Sequence, residues 1–153
     1  MKRKIFSILF AVVLVLSLSL MTAVPAAAAG EVWVDDDAAP EWYDATHFAK
    51  IEEGIAAIDP GGTVHVLPGT YAESIWIDKS LTMLSESGAA DTIIDGTGVD
   101  QGTREATVKI SASDVVFGRE GEGFTVKGGE TWNLILTREL GLTETPTYEN
   151  ILI

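Results

Sequence analysis

Residues 48–96 decide the fold of this chain, and the centre of that stretch reads Gly61-Gly62-Thr63-Val64-His65-Val66-Leu67-Pro68-Gly69-Thr70-Tyr71. Apolar residues recur there at every second position, and Pro-Gly and Gly-Gly pairs separate the runs. A period of two is typical of short β-strands with one buried face. Because no helical pattern separates these strands, the stretch indicates a coiled all-β architecture.

One amphipathic helix is predicted before the strands. Its apolar positions are spaced at i, i+3, i+7 and i+10, which is one face of a helix, and they are Phe48, Ile51, Ile55 and Ile58. Thr46 is a candidate N-cap, and Asp59-Pro60-Gly61-Gly62 is a stop signal. Gly54 costs about 1 kcal/mol relative to alanine inside a helix. We therefore expect a close packing contact at Gly54, with the helix covering the first coil.

The apolar segments after the helix are predicted to form coils of a parallel β-helix. The segments are 63–67, 75–77 and 81–84 in the first coil, 92–94, 107–110 and 115–117 in the second, and 124–126, 134–136 and 150–153 in the third. The positions predicted to be equivalent in the first two coils are Val64 and Ile93, Ile75 and Val108, and Leu81 and Val115. Residues 67–70 fit a type II turn. An antiparallel sandwich is the alternative architecture.

Three segments carry a resemblance to a known family: Phe48-Ala49-Lys50-Ile51-Glu52-Glu53-Gly54-Ile55, Val66-Leu67-Pro68-Gly69-Thr70-Tyr71-Ala72-Glu73 and Asp91-Thr92-Ile93-Ile94-Asp95-Gly96. They resemble the N-terminal segment of pectin methylesterases and other secreted members of the pectin-lyase-like superfamily. The opening Val32-Trp33-Val34-Asp35-Asp36-Asp37 is more similar to non-esterase members of the NosD and surface-layer types. The resemblance implies a right-handed parallel β-helix, with an entry strand and capping helix over residues 30–62 and coils over residues 63–153.

The resemblance supplies no catalytic residue. An esterase of this family would use two carboxylates, an arginine and oxyanion-stabilising glutamines on strands after the matched region. After Lys127 the chain has neither Asp nor Gln, and its charged residues are Glu130, Arg138, Glu139, Glu144 and Glu149. Two hypotheses follow. The first is an exported, non-catalytic β-helix segment of a cell-surface or extracellular protein that binds polysaccharide. The second is the N-terminal part of a pectin esterase or lyase whose catalytic residues lie beyond Ile153.

Residues 1–29 are predicted to be a signal peptide. A basic start, Lys2-Arg3-Lys4, precedes an apolar run over residues 5–20, and Ala27-Ala28-Ala29 supplies a cleavage site before Gly30. The apolar run is shorter than the roughly 20 residues that a membrane-spanning helix needs. We expect a protein that is secreted, at the cell surface or periplasmic, with no membrane span in the mature chain.

The composition limits the partners. The net charge is −13, and all 23 acidic residues lie after Gly30. Binding to nucleic acid or to an anionic membrane needs clustered Lys and Arg, so neither partner is expected. The chain has no cysteine, which excludes stabilisation by disulfides. The charge is compatible with divalent cations, with neutral or cationic polymers, or simply with solubility.

The aromatic residues supply candidate carbohydrate-binding positions. Trp76 alternates with two isoleucines and is expected to face outward, where an indole stacks on sugar rings. Glu73 and Asp78 flank it and offer acceptors for sugar hydroxyl groups. Trp42 and Tyr43 form a second candidate pair in a loop. The alternative for this pair is packing over the helix.

The carboxylates supply one candidate metal site. Calcium takes six to eight oxygen ligands, and Asp35-Asp36-Asp37 is the densest acidic cluster. Because side chains alternate along an extended segment, Asp35 and Asp37 are expected to converge. Calcium is thus the candidate cofactor, and a solvated turn is the alternative. His47 and His65 are expected to be surface residues, since zinc or copper sites recruit several His or Cys ligands.

The sequence after residue 149 reads as an apolar strand with no polar cap following it. An open β-helix rung exposes apolar core and unpaired backbone groups. We therefore expect residues 30–153, produced alone, to associate or to remain partly molten. Size-exclusion chromatography with light scattering and ANS binding measures this. A monodisperse monomer without dye binding would contradict it.

Overall fold

The computed structural model describes residues 29–136 and 147–148. The predicted signal segment up to residue 28 and the predicted strand over 150–153 lie outside these ranges. Within them, no helix has the length and apolar character needed to cross a bilayer. The elements are β1 (Ala29–Val34), a 3-10 helix (Pro40–Trp42), β2 (His47–Phe48), α1 (Ile51–Ala57), β3 (Ile58–Val66), β4 (Gly69–Tyr71), β5 (Ile75–Ile77), β6 (Leu81–Ser85), β7 (Thr92–Asp95), a second 3-10 helix (Gly102–Arg104), β8 (Ala106–Ile110), β9 (Val115–Phe117), β10 (Thr125–Lys127), β11 (Trp132–Leu136) and β12 (Thr147–Tyr148).

The strands form three sheets in which every described pair is parallel. The first sheet has the order β12-β9-β6-β3-β1-β2, the second β10-β7-β4 and the third β11-β8-β5. Successive strands of one coil therefore enter three different sheets, and each coil stacks on the next. This arrangement is a parallel β-helix, and it rules out the antiparallel sandwich.

The strand register confirms part of the predicted coil alignment. Ile75 pairs with Val108 and Leu81 pairs with Val115, as expected. The third predicted equivalence is wrong, because Val64 pairs with Met83 and Ile93 pairs with Thr70. Segments 63–67 and 81–84 therefore stack in one sheet as successive coils, and the prediction that both belong to the first coil is also wrong. The error comes from β4, which occupies residues that read as a type II turn. Gly69 does not have the positive φ that such a turn requires, and the chain continues there as a strand.

The space between the sheets is filled by inward-facing apolar side chains. On β5 the two isoleucines are fully buried. Tyr71 also points inward, and its hydroxyl donates hydrogen bonds to the carbonyl oxygens of Leu67 (2.9 Å) and Val34 (3.2 Å). Phe117 and Phe124 stack with ring centroids 4.9 Å apart. Phe117 ends β9 and Phe124 directly precedes β10, so aromatic packing fills the core between the first and second sheets.

Helix α1 is shorter than predicted. Ile51 and Ile55 are buried in it as expected, but Phe48 belongs to β2 and Ile58 begins β3. The close contact expected at Gly54 is confirmed, because a Cβ there would lie 2.9 Å from Cγ2 of Val34. The helix thus packs its buried face against the strands that follow and precede it. Its role as the cover of the first coil remains a prediction.

The last described coil leaves apolar side chains in solvent. Trp132 is 58% exposed and Leu136 is 49% exposed, although both pair with buried residues of β8, Ala106 and Ile110. Leu134, between them, packs against the core. The association of the isolated segment stays a prediction, and this exposed pair is the surface on which it would depend.

Candidate functional site

Trp76 lies on the outer face of β5, as the alternating pattern predicted. Its side chain is 41% exposed, whereas Ile75 and Ile77 on either side are fully buried. The three-residue strand is held in register by β8, where Ile75 pairs with Val108 and Trp76 with Lys109. The buried isoleucines therefore fix the direction in which the indole projects.

The indole of Trp76 is also fixed in orientation. Its Nε1 donates a hydrogen bond of 2.7 Å to Oγ of Ser111. The ammonium of Lys109 lies 5.3 Å from the ring centroid, within the range of a cation–π contact. Sequence reasoning missed both partners, although the predicted equivalence of Ile75 and Val108 already placed Lys109 beside Trp76. A ring held in this way loses little conformational freedom when it contacts a ligand.

A pocket of about 190 Å³ borders the indole. It lies towards α1, while Lys109 belongs to β8 on the opposite side of β5. The lining residues are Glu52, Ile55, Ala56, Trp76, Asp78 and Lys79. Asp78 is exposed and makes no hydrogen bond or ion pair with the residues that the structure describes. The pocket thus combines an aromatic wall, a small apolar floor and one unengaged carboxylate.

Glu52 connects the helix wall of this pocket to the coils. Its Oε1 accepts from Nη2 of Arg104 at 2.6 Å, and its Oε2 accepts from the backbone N–H of Trp76 at 3.1 Å. Arg104 also donates to the carbonyl oxygen of Ser74. Both side chains of the ion pair are half-buried. The helix and β5 are therefore held together beside the indole by a charged hydrogen-bond network.

Glu73 does not face the pocket with Trp76. It is only 9% exposed, and its two carboxylate oxygens accept the backbone N–H groups of Ile51 (2.9 Å) and Glu52 (3.1 Å). It therefore caps the start of α1, where a negative charge is favourable. At the other end, the ammonium of Lys79 donates to the carbonyl oxygens of Ile58 (3.1 Å) and Ala56 (3.4 Å). Both carboxylate oxygens of Glu73 already accept hydrogen bonds from the helix backbone, so we do not propose Glu73 as a carbohydrate-binding residue.

Replacing Glu73 with Gln is expected to change how stability depends on pH. Burial raises the pKa of Glu73, and the two backbone N–H groups only partly oppose this shift. The folded state then holds the proton more tightly than the unfolded state, so this group's contribution to stability falls as pH rises above about 4.3. Urea denaturation from pH 4 to 7 should show the advantage of the native protein over Glu73→Gln shrinking as the pH rises through the pKa of the folded state. An advantage that grows with pH would contradict the shift.

Trp42 and Tyr43 lie away from the Trp76 pocket. Both are half-buried, and the Trp42 ring contacts His47 edge-on, with centroids 4.5 Å apart. The hydroxyl of Tyr43 donates to the carbonyl oxygen of Asp35 at 3.1 Å. These contacts place the pair against β1 and β2 of the first sheet, whereas Trp76 is in the third. The predicted carbohydrate-binding residues therefore do not form one continuous site.

The three aspartates after β1 come closer together than predicted. One carboxylate oxygen from each of Asp35, Asp36 and Asp37 lies within 4.8 Å of the others, so Asp36 joins the two that were expected to converge. Burial first, and then the charges of its two neighbours, raise the pKa of Asp35. Three donors are fewer than the six to eight that calcium takes. Calcium binding stays a prediction from the sequence.

The two histidines occupy separate positions. His65 points away from the core, as predicted, and stacks on Trp33 with ring centroids 4.2 Å apart. Its Nδ1 lies 2.7 Å from Oε1 of Glu86. His47 Nδ1 lies 2.8 Å from Oδ1 of Asp44. Among the described residues, neither histidine belongs to a group of three or more potential metal ligands.

Comparison with known proteins supports the fold. No family model matches the chain, and no curated protein sequence matches it significantly. Its structure is similar to that of a pectin methylesterase from carrot, with a TM-score of 0.57 and 17% sequence identity. The match covers 78% of this chain and 38% of the carrot chain, so the chain spans well under half the length of that protein. At this identity the similarity shows the fold alone, a parallel β-helix.

Proposed function

We propose that this chain is an exported, non-catalytic β-helix segment of a cell-surface or extracellular protein, and that the Trp76 pocket binds polysaccharide. The signal-peptide pattern of residues 1–29 supports export. The described fold supports a repetitive scaffold that presents side chains on flat outer faces. We include in this proposal the similarity of residues 32–37 to NosD-type and surface-layer proteins.

The observation that carries the proposal is the immobilised, exposed indole of Trp76 beside a polar pocket. Sugar rings have apolar faces that pack on aromatic rings and hydroxyl edges that hydrogen-bond to charged side chains. Trp76 offers the first kind of surface, and Asp78 offers the second at the same pocket. The contacts of Trp76 with Ser111 and Lys109 keep the ring in place before a ligand arrives.

The Trp76→Ala variant is expected to lose binding to polysaccharide, measured by glycan-array and affinity-gel retardation. Loss of one well-packed ring contact should weaken binding roughly tenfold or more. Trp132→Ala is the matched control, because Trp132 is an exposed tryptophan outside the pocket. Equal retention by both variants, or no binding by the native protein, would refute the proposed site.

The alternative hypothesis is the N-terminal part of a pectin esterase or lyase. Under the leading proposal, the chain releases no methanol from methylated pectin and forms no unsaturated uronide, because no catalytic residue of that family could be carried over to it. Either product, formed well above the rate of a heat-inactivated control, would favour the enzyme. The sequence encoded after Ile153 provides an independent test, since paired aspartates and an arginine on successive strands would indicate catalytic machinery.

A further inference from the structure

We propose that the Trp76 pocket selects an uncharged sugar chain over both uronate and amino-sugar chains. This inference rests on the proposed function and specifies its ligand. It follows from which charged groups at the pocket are already engaged by the protein and which remain available.

The two lysine ammonium groups near the indole both have partners. Lys79 donates to the carbonyl oxygens of Ala56 and Ile58 at the end of α1. Lys109 lies over the Trp76 ring. A uronate carboxylate in the pocket could gain only the one N–H donor that Lys79 leaves free, because Lys109 lies on the opposite side of β5. It would also approach Asp78 and Glu52. Repulsion by these pocket carboxylates therefore opposes an anionic sugar.

A cationic amino sugar meets the opposite difficulty. Its ammonium would be attracted by Asp78, but the ammonium of Lys79 lines the same pocket. Glu52 offers little compensation, because its two oxygens already accept from Arg104 and from the backbone of Trp76. The charges at the pocket nearly balance, so a ligand charge of either sign gains little there.

A neutral sugar can use the polar and apolar groups of the pocket that remain available. The unengaged carboxylate of Asp78 accepts hydrogen bonds from hydroxyl groups, and hydrogen bonds to a charged acceptor are stronger than those between neutral groups. The apolar floor formed by Ile55 and Ala56, together with the indole, matches the C–H face of a pyranose ring. The pocket therefore recognises a pair of neighbouring hydroxyls and one flat sugar face, without a charge.

Calorimetric titration with oligosaccharides of equal length tests this selectivity. The probes are neutral β-glucan, mannan and galactan oligomers, a galacturonate oligomer and a glucosamine oligomer, each at low and high salt. At least one neutral oligomer should bind most tightly, with an affinity that salt barely changes, since no counterions are released. Asp78→Asn should weaken that binding roughly tenfold and should improve binding of the galacturonate oligomer. Glu53→Gln, which removes one exposed charge from α1 outside the pocket, is the control for net charge.

The outcomes distinguish a failure of the proposed selectivity from a failure of the proposed function. Tightest binding of the galacturonate or glucosamine oligomer, abolished by Trp76→Ala, would overturn the selectivity and leave the proposed function standing. Binding of neutral oligomers that Asp78→Asn leaves unchanged would also overturn it. Absence of any binding that depends on Trp76 would refute the proposed function itself.

Discussion

Replacing Ile51 with Ala is expected to lower the free energy of unfolding by about 2–5 kcal/mol. The Ile51 side chain is fully buried on the face of α1 that packs against the strands. Truncation leaves a cavity there, and the backbone N–H of residue 51 still has its acceptor on Glu73. The loss would therefore measure side-chain packing alone, by chemical denaturation of the native protein and the variant.

Glu53→Ala is the matched control for this substitution. Glu53 lies on the exposed face of the same helix, so its truncation changes no core packing and should alter stability by less than about 0.5 kcal/mol. An unchanged denaturation midpoint in Ile51→Ala would show that the helix does not cover the first coil. A large loss in Glu53→Ala would point to helix propensity or surface charge as the dominant contribution.

Replacing Phe117 with Ala is expected to cost about 3–5 kcal/mol. The Phe117 ring is fully buried and stacks on Phe124, which is equally buried. Truncation removes the stacked pair as well as buried area, so the cavity lies between β9 and the start of β10. Thermal or chemical denaturation measures the loss, and near-ultraviolet circular dichroism reports on the altered aromatic packing.

Val116→Ala is the control for this second substitution. Val116 is the neighbouring residue on β9, but it is only half-buried because it faces outward. The strand and its register are the same in both variants, so the difference between them isolates the core contribution. Similar losses in the two variants would mean that strand propensity, and not core packing, dominates at β9.

The sequence predicted most strands because their apolar residues alternate. The strands Ile75–Ile77 and Val115–Phe117 were placed to the residue. Strand Gly69–Tyr71 was missed because its first residue belongs to a Pro-Gly pair. That pair was interpreted as the centre of a type II turn over residues 67–70. Gly69 has a different reason to be glycine, since a Cβ there would overlap the carboxylate of Asp36. Local patterns do not report such contacts between distant residues.

The start of the helix was also predicted incorrectly from local sequence. Thr46 was predicted as the N-cap, but Asp44 accepts its backbone N–H at 2.7 Å and holds it in a turn. This bond and the hydrogen bond from His47 lower the pKa of Asp44 to about 2. The helix begins after Lys50 instead, and its cap is the carboxylate of Glu73. A cap supplied from 22 residues away has no signature in the sequence near the helix.

The candidate site was predictable in part. A period of two placed Trp76 outward, as the structure has it. Asp78, predicted as a neighbouring acceptor for sugar hydroxyls, lines the pocket beside the indole, and its role stays a prediction. Glu52 and Lys79 were missed because they reach the pocket through the packing of α1 on β5. Glu73 was predicted to accept hydrogen bonds from sugar hydroxyls because it flanks Trp76, whereas its carboxylate accepts two backbone N–H groups at the start of the helix.

Because Glu73 and Lys79 bind the two ends of α1, the helix depends on residues that follow it in the chain. A helix of seven residues is not stable in isolation, and both side chains that secure its ends come from later in the chain. The helix therefore gains the contacts at its two ends only after the segment around β5 has been made and positioned. If the chain crosses a membrane before it folds, α1 would form only once the β5 segment has also crossed.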